Sequence, residues 1–230
     1  MLIDAGISCR ETERRMGRLG LSMLKVKAIF ITHEHTDHTH GVEVIARKYR
    51  LPVYITAATH NNSRLRLDPQ LVRTFSANTP VKVGGLSINP FSKRHDASEP
   101  HSFTVNGDGM TVGVFTDIGS PCEHVVRNFR QCHAAFLEAN YDEIMLEKGH
   151  YPIHLKKRIK GNDGHLSNRQ ALDLFLAFKP TFMSHLLLSH LSEHNNRPEL
   201  VQALFSRHAG GTHISVASRY EETGVYCVKG

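Results

Sequence analysis

The chain has 230 residues, 40% hydrophobic and 22% charged, an ordinary balance for a globular protein with a real core. Four scattered cysteines (Cys9, Cys122, Cys132, Cys227) without a Cys-x-x-Cys pair give no sign of a disulfide framework or a thiolate zinc site, and no apolar run approaches the ~18–20 residues of a membrane span. Lys and Arg number 28 against 22 Asp and Glu, a formal net charge of +6 that favours an anionic partner such as nucleic acid, with a solvated basic surface as the plain alternative.

The segment Met1–Gly6 reads as the end of a strand turning at Gly6, with no signal peptide ahead of it, so reduced thiols and a cytoplasmic location are expected. Arg10–Leu19 predicts a charged helix, and the β-branched run Val26–Thr32 a buried strand. His33–His40 predicts a loop, Gly41–Arg50 a helix and Pro52–Thr56 a strand. Ala57–Asn62 and Pro69–Ser76 read as helical or irregular. Short strands follow at Val81–Val83, Leu86–Pro90, Ser102–Asn106 and Thr111–Thr116, broken by Gly84-Gly85 and by the turn Asn106-Gly-Asp-Gly109. Beyond them come a helix at Cys122–Arg130, a strand at Ala134–Glu138, a helix from Tyr141 to Lys148 and an apolar-spaced helix at His165–Phe178. A strand at Thr181–Ser189, a helix at Arg197–Phe205 and a strand at His213–Ala217 complete the chain. Repeats and linkers are missing from the pattern, so the expectation is one α/β domain over residues 1–230, two sheets face to face with helices outside.

Histidine is over-represented, at seventeen of 230 residues. Three of them stand with an aspartate in Ile31-Thr-His33-Glu-His35-Thr-Asp37-His38, directly after an apolar strand. Three imidazoles and a carboxylate at this spacing suit zinc, manganese or iron. At this chain's own His and Asp frequencies a chance match anywhere in the chain comes to roughly 0.4%, so a solvated histidine loop is a poor account of it.

The segment resembles the His-x-His-x-Asp-His signature of the metallo-β-lactamase superfamily. That resemblance implies an αβ/βα sandwich holding two divalent metal ions, zinc or manganese, at one edge. It also implies later ligands, for which His95, Asp117 and His190 stand in the right order at or after predicted strand ends. One metal would take His33, His35 and His95, the other Asp37, His38 and His190, with Asp117 bridging. His185 competes with His190 but falls mid-strand, where a core role is expected; His40, His101 and His194 read as surface or supporting residues.

Leu137-Glu138-Ala-Asn-Tyr-Asp142 and Gly164-His165-Leu-Ser167-Asn-Arg-Gln170-Ala171 resemble the Glu-bearing strand and the His-Ser/Thr-x-x-Gln-Ala helix of the ribonuclease Z and phosphodiesterase branch. By that match His165 is the general acid and Glu138 its partner; Asp37, as a ligand, would hold the attacking hydroxide and accept its proton. Over essentially the whole chain, including Leu2–Gly6, His95-Asp96-Ala97, Thr116–Gly119 and His190–Asn196, the sequence is similar to the bacterial YycJ/WalJ group, which implies a DNA exonuclease. The group carries one or two strands before the Leu2–Gly6 segment, so the expected sandwich lacks them here.

The run Lys156-Lys-Arg-Ile-Lys160, just ahead of His165, predicts a cationic patch for a phosphate backbone, to which Arg64, Arg66 and Arg73 could add. Two alternatives stay open: a thioester or lactam hydrolase of the same fold acting on small molecules, which needs no leaving-group acid at position 165, and a metal-stabilised binding module without catalysis.

Overall fold

The computed structural model describes residues 1–228 as two compact units, Met1–Ser92 with Ala97–His101, and Lys93–Asp96 with Ser102 onward. Each is a mixed α/β assembly.

The first unit is built on four parallel strands in the order β1 (Leu2–Ile3), β2 (Ile29–Phe30), β3 (Val53–Tyr54) and β4 (Val72–Arg73). Strand β2 is much shorter than the expected Val26–Thr32, yet Ala28, Ile29, Phe30 and Ile31 are all buried. Ile29 and Ile31 share a core cluster with Cys9 of α1 (Cys9–Arg18) and with Val42, Ile45 and Ala46 of α3 (Val42–Tyr49). A short helix α2 (Thr36–Thr39) stands inside the expected loop, and α4 covers Ala57–Asn62. Pro69–Ser76, expected to be helical or irregular, contributes strand β4, because a turn closed by Leu71 N–H to Asp68 C=O (2.8 Å) brings Val72 into register with Val53. The antiparallel hairpin β5 (Val81–Val83) and β6 (Leu86–Ser92) ends this unit.

The second unit carries strands in the order β11 (His213–Val216), β10 (His185–Ser189), β9 (Ala134–Glu138), β8 (Met110–Phe115) and β7 (His101–Gly107). The first four are parallel, and β7 is antiparallel to β8. Its core is aromatic: Phe115 meets Phe129 of α5 (Glu123–Phe129) at 5.4 Å, and Phe175 of α8 (Asn168–Phe178) meets Phe205 of α9 (Pro198–Ser206) at 5.8 Å. Helix α6 spans Glu143–Lys148, and α7 spans Ile153–Lys160 and buries no residue.

Two expectations are corrected here. Helix α8 starts at Asn168, not His165, because Ser167 accepts from Gln170 N–H (3.1 Å) while the Gln170 side chain accepts from Ser167 N–H (2.9 Å), a reciprocal cap that leaves His165 in the loop ahead. Strand β10 starts at His185, not Thr181, because Met183 N–H turns back to Pro180 C=O. His185 is therefore an opening residue, half-buried, and His190 lies past the opposite end, roughly 16 Å away at ~3.3 Å per residue.

Candidate metal centre

In the first unit the His33–His38 loop is held by Asp4. This residue ends β1 in the left-handed region (φ 58°), where a non-glycine backbone is strained. Its Oδ1 accepts from Thr32 N–H (2.8 Å) and its Oδ2 from the Thr32 hydroxyl (2.7 Å) and from His38 Nδ1 (2.7 Å). The Thr32 oxygen in turn accepts from His33 Nδ1 (2.9 Å). Both rings thus present their Nδ1–H to acceptors and turn Nε2 the other way, the tautomer a metal ligand requires. His35 Nδ1 stands 3.0 Å from His33 Nε2. Two ligands of a tetrahedral ion with bonds of about 2.0–2.1 Å lie about 3.3 Å apart, so this pair fits one cation. Asp37, largely exposed, brings a carboxylate oxygen to 3.6 Å from His38 Nε2.

The loop closes onto the chain through Ala5 N–H to His38 C=O (2.8 Å) and Gly41 N–H to Ala5 C=O (2.7 Å). Only glycine fits at position 6, since a Cβ there would lie 1.5 Å from the Asp37 carbonyl oxygen. Glu34, between the two histidines, accepts from Ser98 N–H (2.8 Å) and hydroxyl (2.7 Å). Of the supporting histidines, His101 is buried against Phe75 (5.2 Å) with Nδ1 on the Glu99 carbonyl, and His40 and His194 are exposed.

The second unit gathers His95, Asp117, Glu138, His165 and His190. One ligand atom each from Asp117, Glu138, His165 and His190 falls within a 4.8 Å sphere of mutual distances. Asp117 follows β8 with φ 54°, and His190 follows β10 with φ 58°. His190 Nε2 stands 3.4 Å and His95 Nε2 3.7 Å from Asp117 Oδ1. His95 directs Nδ1 to Gly164 C=O (3.1 Å). Burial pushes its pKa down to about 4, the neighbouring Asp117 charge opposing only in part, so the ring is neutral near pH 7 as a ligand must be.

Glu138 is the hub. Its side chain has no exposure, and its Oε1 accepts from His165 Nδ1 (2.8 Å) and His190 Nδ1 (2.9 Å), while Oε2 accepts from Ile118 N–H (2.8 Å) and Leu166 N–H (3.1 Å). Burial alone would raise this carboxyl; the two imidazoles outweigh it and hold it low. Both rings commit Nδ1 to Glu138, and His190 turns Nε2 toward Asp117 (3.4 Å).

Sequence reasoning missed three residues. Asp4 carries the same signal that marked Asp117, a carboxylate at a strand end. Lys93, with a side chain of no exposure, donates to Thr116 C=O (2.8 Å) and reaches 4.0 Å from Asp117 Oδ2, and nothing in the pattern announced it. Asn140 donates to His190 C=O (2.8 Å).

The fold, with imidazoles and carboxylates collected past strand ends, is that of a metal-dependent hydrolase. The β-lactamase superfamily domain matches residues 1–191. The chain is 32% identical over 212 residues to the exodeoxyribonuclease YycJ of Bacillus anthracis, covering 90% of this chain and 80% of that protein. Against the exodeoxyribonuclease WalJ of Streptococcus pneumoniae identity is 31% over 205 residues, covering 87% and 76%. Among solved structures, Zn2+-bound PqqB from Methylobacterium extorquens has a TM-score of 0.72 at 16% identity, covering 98% of this chain and 82% of that one, a likeness of fold. The chain belongs to the metallo-β-lactamase superfamily.

Proposed function

We propose that the protein is a phosphodiesterase acting on nucleic acid, with DNA as substrate and exonuclease action, working from a dinuclear centre of zinc or manganese. The observation that carries this reading is the His165–Glu138 pair beside Asp117 and His190, an imidazole held for proton transfer at the edge of a ligand cluster. The names of the YycJ and WalJ relatives support the substrate.

In this reading His33, His35, Asp37 and His38 of the first unit and His95, Asp117 and His190 of the second would supply the metal ligands. When bound, the pair of ions supplies a hydroxide near neutral pH and neutralises charge on the phosphate. Asp37 orients the attacking water and accepts its proton. His165 Nε2 donates a proton to the departing oxygen, while Glu138 stabilises the protonated ring and fixes its plane.

Helix α7 supplies cations for the backbone. From Lys148 to Lys160 the sequence holds five Lys or Arg and no acid. Some of this charge is already engaged: Lys160 pairs with Glu147 at 2.5 Å, Lys156 donates to the Glu147 carbonyl (2.6 Å), and Arg158 pairs with Asp96. Arg73 is turned onto the Gln70 and Val72 carbonyls of its own loop. A cytoplasmic location fits a DNA substrate and the free thiols of all four cysteines. Among the described residues no helix is long and apolar enough to cross a membrane.

The test is incubation of the metal-loaded protein with bis-p-nitrophenyl phosphate, labelled DNA and RNA, S-lactoylglutathione and a β-lactam. Release of nucleotides from a DNA end is the expected result. Turnover of the thioester or lactam alone would overturn the proposal.

A further inference from the structure

Behind the second unit's cluster lies a set of buried asparagines that the proposed chemistry does not use. Asn196 donates through Nδ2 to the carbonyls of Ala139 (2.8 Å) and Asn140 (3.0 Å) and to Asn168 Oδ1 (2.8 Å). Asn168 donates back to Asn196 Oδ1 (3.0 Å), which also accepts from Arg197 N–H (2.9 Å). Asn140 donates to His190 C=O (2.8 Å), and its own carbonyl accepts from Ser192 N–H (2.7 Å). Backbone bonds complete the tie: Asn140 N–H to Leu166 C=O (2.9 Å), Asn168 N–H to Tyr141 C=O (2.8 Å) and Ala139 N–H to Ser189 C=O (3.0 Å). All three asparagines are 8% exposed or less.

Three loops are joined in this way: the one after β9, next to Glu138; the one before α8, which carries His165; and the one after β10, which opens with His190. An amide side chain suits the task because it donates and accepts at once, so one residue can bridge segments whose backbone groups lack a ladder partner. His190 needs such a bridge most, because it is held in the left-handed region without being glycine.

We propose that Asn140, backed by Asn196 and Asn168, is a positioning residue that fixes the backbone of His190 and so keeps its Nδ1 on Glu138 and its Nε2 toward Asp117. The role does not depend on which substrate the centre cleaves, though its importance for turnover rests on the phosphodiesterase reading. The Asn140 amide also lies 3.4 Å from His190 Nδ1, but the shorter Glu138 contact (2.9 Å) claims that ring nitrogen.

The experiment uses the full chain, metal-free, and its Asn140→Ala and Asn140→Asp variants. The aspartate keeps the shape but sets an acceptor against the His190 carbonyl. Imidazole-selective 1H–15N spectra of the wild type should include low-field Nδ1–H signals from His165 and His190, assigned by their loss in single His→Gln variants and so told apart from those of His33, His38, His95 and His101, whose Nδ1 atoms also meet acceptors. Both variants should lose the His190 signal, keep that of His165, and bind zinc about 10- to 100-fold more weakly in competition with a chromophoric chelator. The proposal is overturned if folded variants keep both signals and wild-type zinc affinity. It is equally overturned if both signals disappear together with a large fall in Tm, since the role would then be structural support alone. Neither readout involves a substrate, so a wild type that fails to cleave phosphodiesters would sink the functional reading and leave this one standing.

Discussion

Replacing Glu138 with Gln tests the hub of the second unit with almost no change of volume. The carboxylate accepts four hydrogen bonds, two from imidazoles through Oε1 and two from backbone N–H groups through Oε2. An amide offers one acceptor atom, so its NH2 must face either the two rings or the two backbone donors. Facing the backbone, it leaves two buried N–H groups opposed by a donor. Facing the rings, it forces His165 and His190 to accept at Nδ1 and carry the proton on Nε2, which spoils His190 as a ligand. Each lost bond to a charged group is worth about 1.5–3 kcal/mol, and relief from burying a charge returns part of that. A net destabilisation of about 2–4 kcal/mol is expected, or roughly 5–15 °C in Tm for a chain of this length. The pH dependence gives a second reading. The folded-state pKa of Glu138 lies below the ordinary carboxylate value, so its contribution to stability is present above that value and is lost as pH falls toward the depressed one. The substitution should therefore remove an acid limb from the stability curve. Urea titrations of the metal-free protein between pH 3 and 8 measure both effects, and phosphodiester turnover should fall at least ~10²-fold. A variant within about 0.5 kcal/mol of wild type at every pH, with normal turnover, would refute the reasoning.

His165→Ala should retain metal by elemental analysis yet lose about 10²–10⁴ in kcat, and loss of metal instead would make the residue a ligand and not the acid. Gly6→Ala drives a Cβ to 1.5 Å from the Asp37 carbonyl, so the His33–His38 loop must move; the expected result is a lower Tm with a metal content well below wild type. Reversing one α7 charge in Lys157→Glu should weaken DNA binding equally across sequences and flatten the slope of log Kd against log salt by about one or more. Unchanged salt dependence would remove α7 from the interface.

What could be read from the sequence divides by how locally each feature is encoded. The residues at 33, 35, 37 and 38 are legible because four potential ligands stand within six positions after an apolar strand, and the structure joins them by short-range contacts: His38 to Asp4, His33 to Thr32, His35 to His33 and Asp37 to His38. His95, Asp117 and His190 are single residues, each unremarkable, and only a resemblance over the whole chain assigns them; Asp117 and His190 meet because β8, β9 and β10 end side by side, and His95 is held through its Nδ1 on the Gly164 carbonyl. In the sequence helix α7 reads as a charge run and not as a helix because it buries no residue, so the periodicity that reveals α8 has nothing to act on. The expected start of α8 at His165 differs from the observed Asn168 because the Ser167–Gln170 box stops the helix there, itself a local signal. Lys93 and Asn140 were out of reach for a different reason: their partners are backbone carbonyls of residues 23 and 50 positions away, and no side-chain pattern encodes those.

Three residues of the two clusters, Asp4, Asp117 and His190, share a left-handed backbone that glycine would adopt with less strain. Each turns the chain at a strand end, and each would cost about 1–2 kcal/mol relative to an ordinary conformation. Glycine would lift that cost and delete the side chain that acts there, so the strain is the consequence of needing a sharp turn and a donor or acceptor at one position. The compensation is local in every case. Asp4 accepts three bonds, two of them from Thr32. Asp117 is followed by Ile118 and Gly119, whose N–H groups are taken by Glu138 and by the Arg94 carbonyl. His190 is held by Asn140 on its carbonyl and Glu138 on its ring. The groups that hold the strained turns are therefore the same ones that orient the proposed ligands, which is why a substitution at Asp4, Glu138 or Asn140 should disturb metal binding and local stability together, whereas one at His165, whose backbone is unstrained, should separate them.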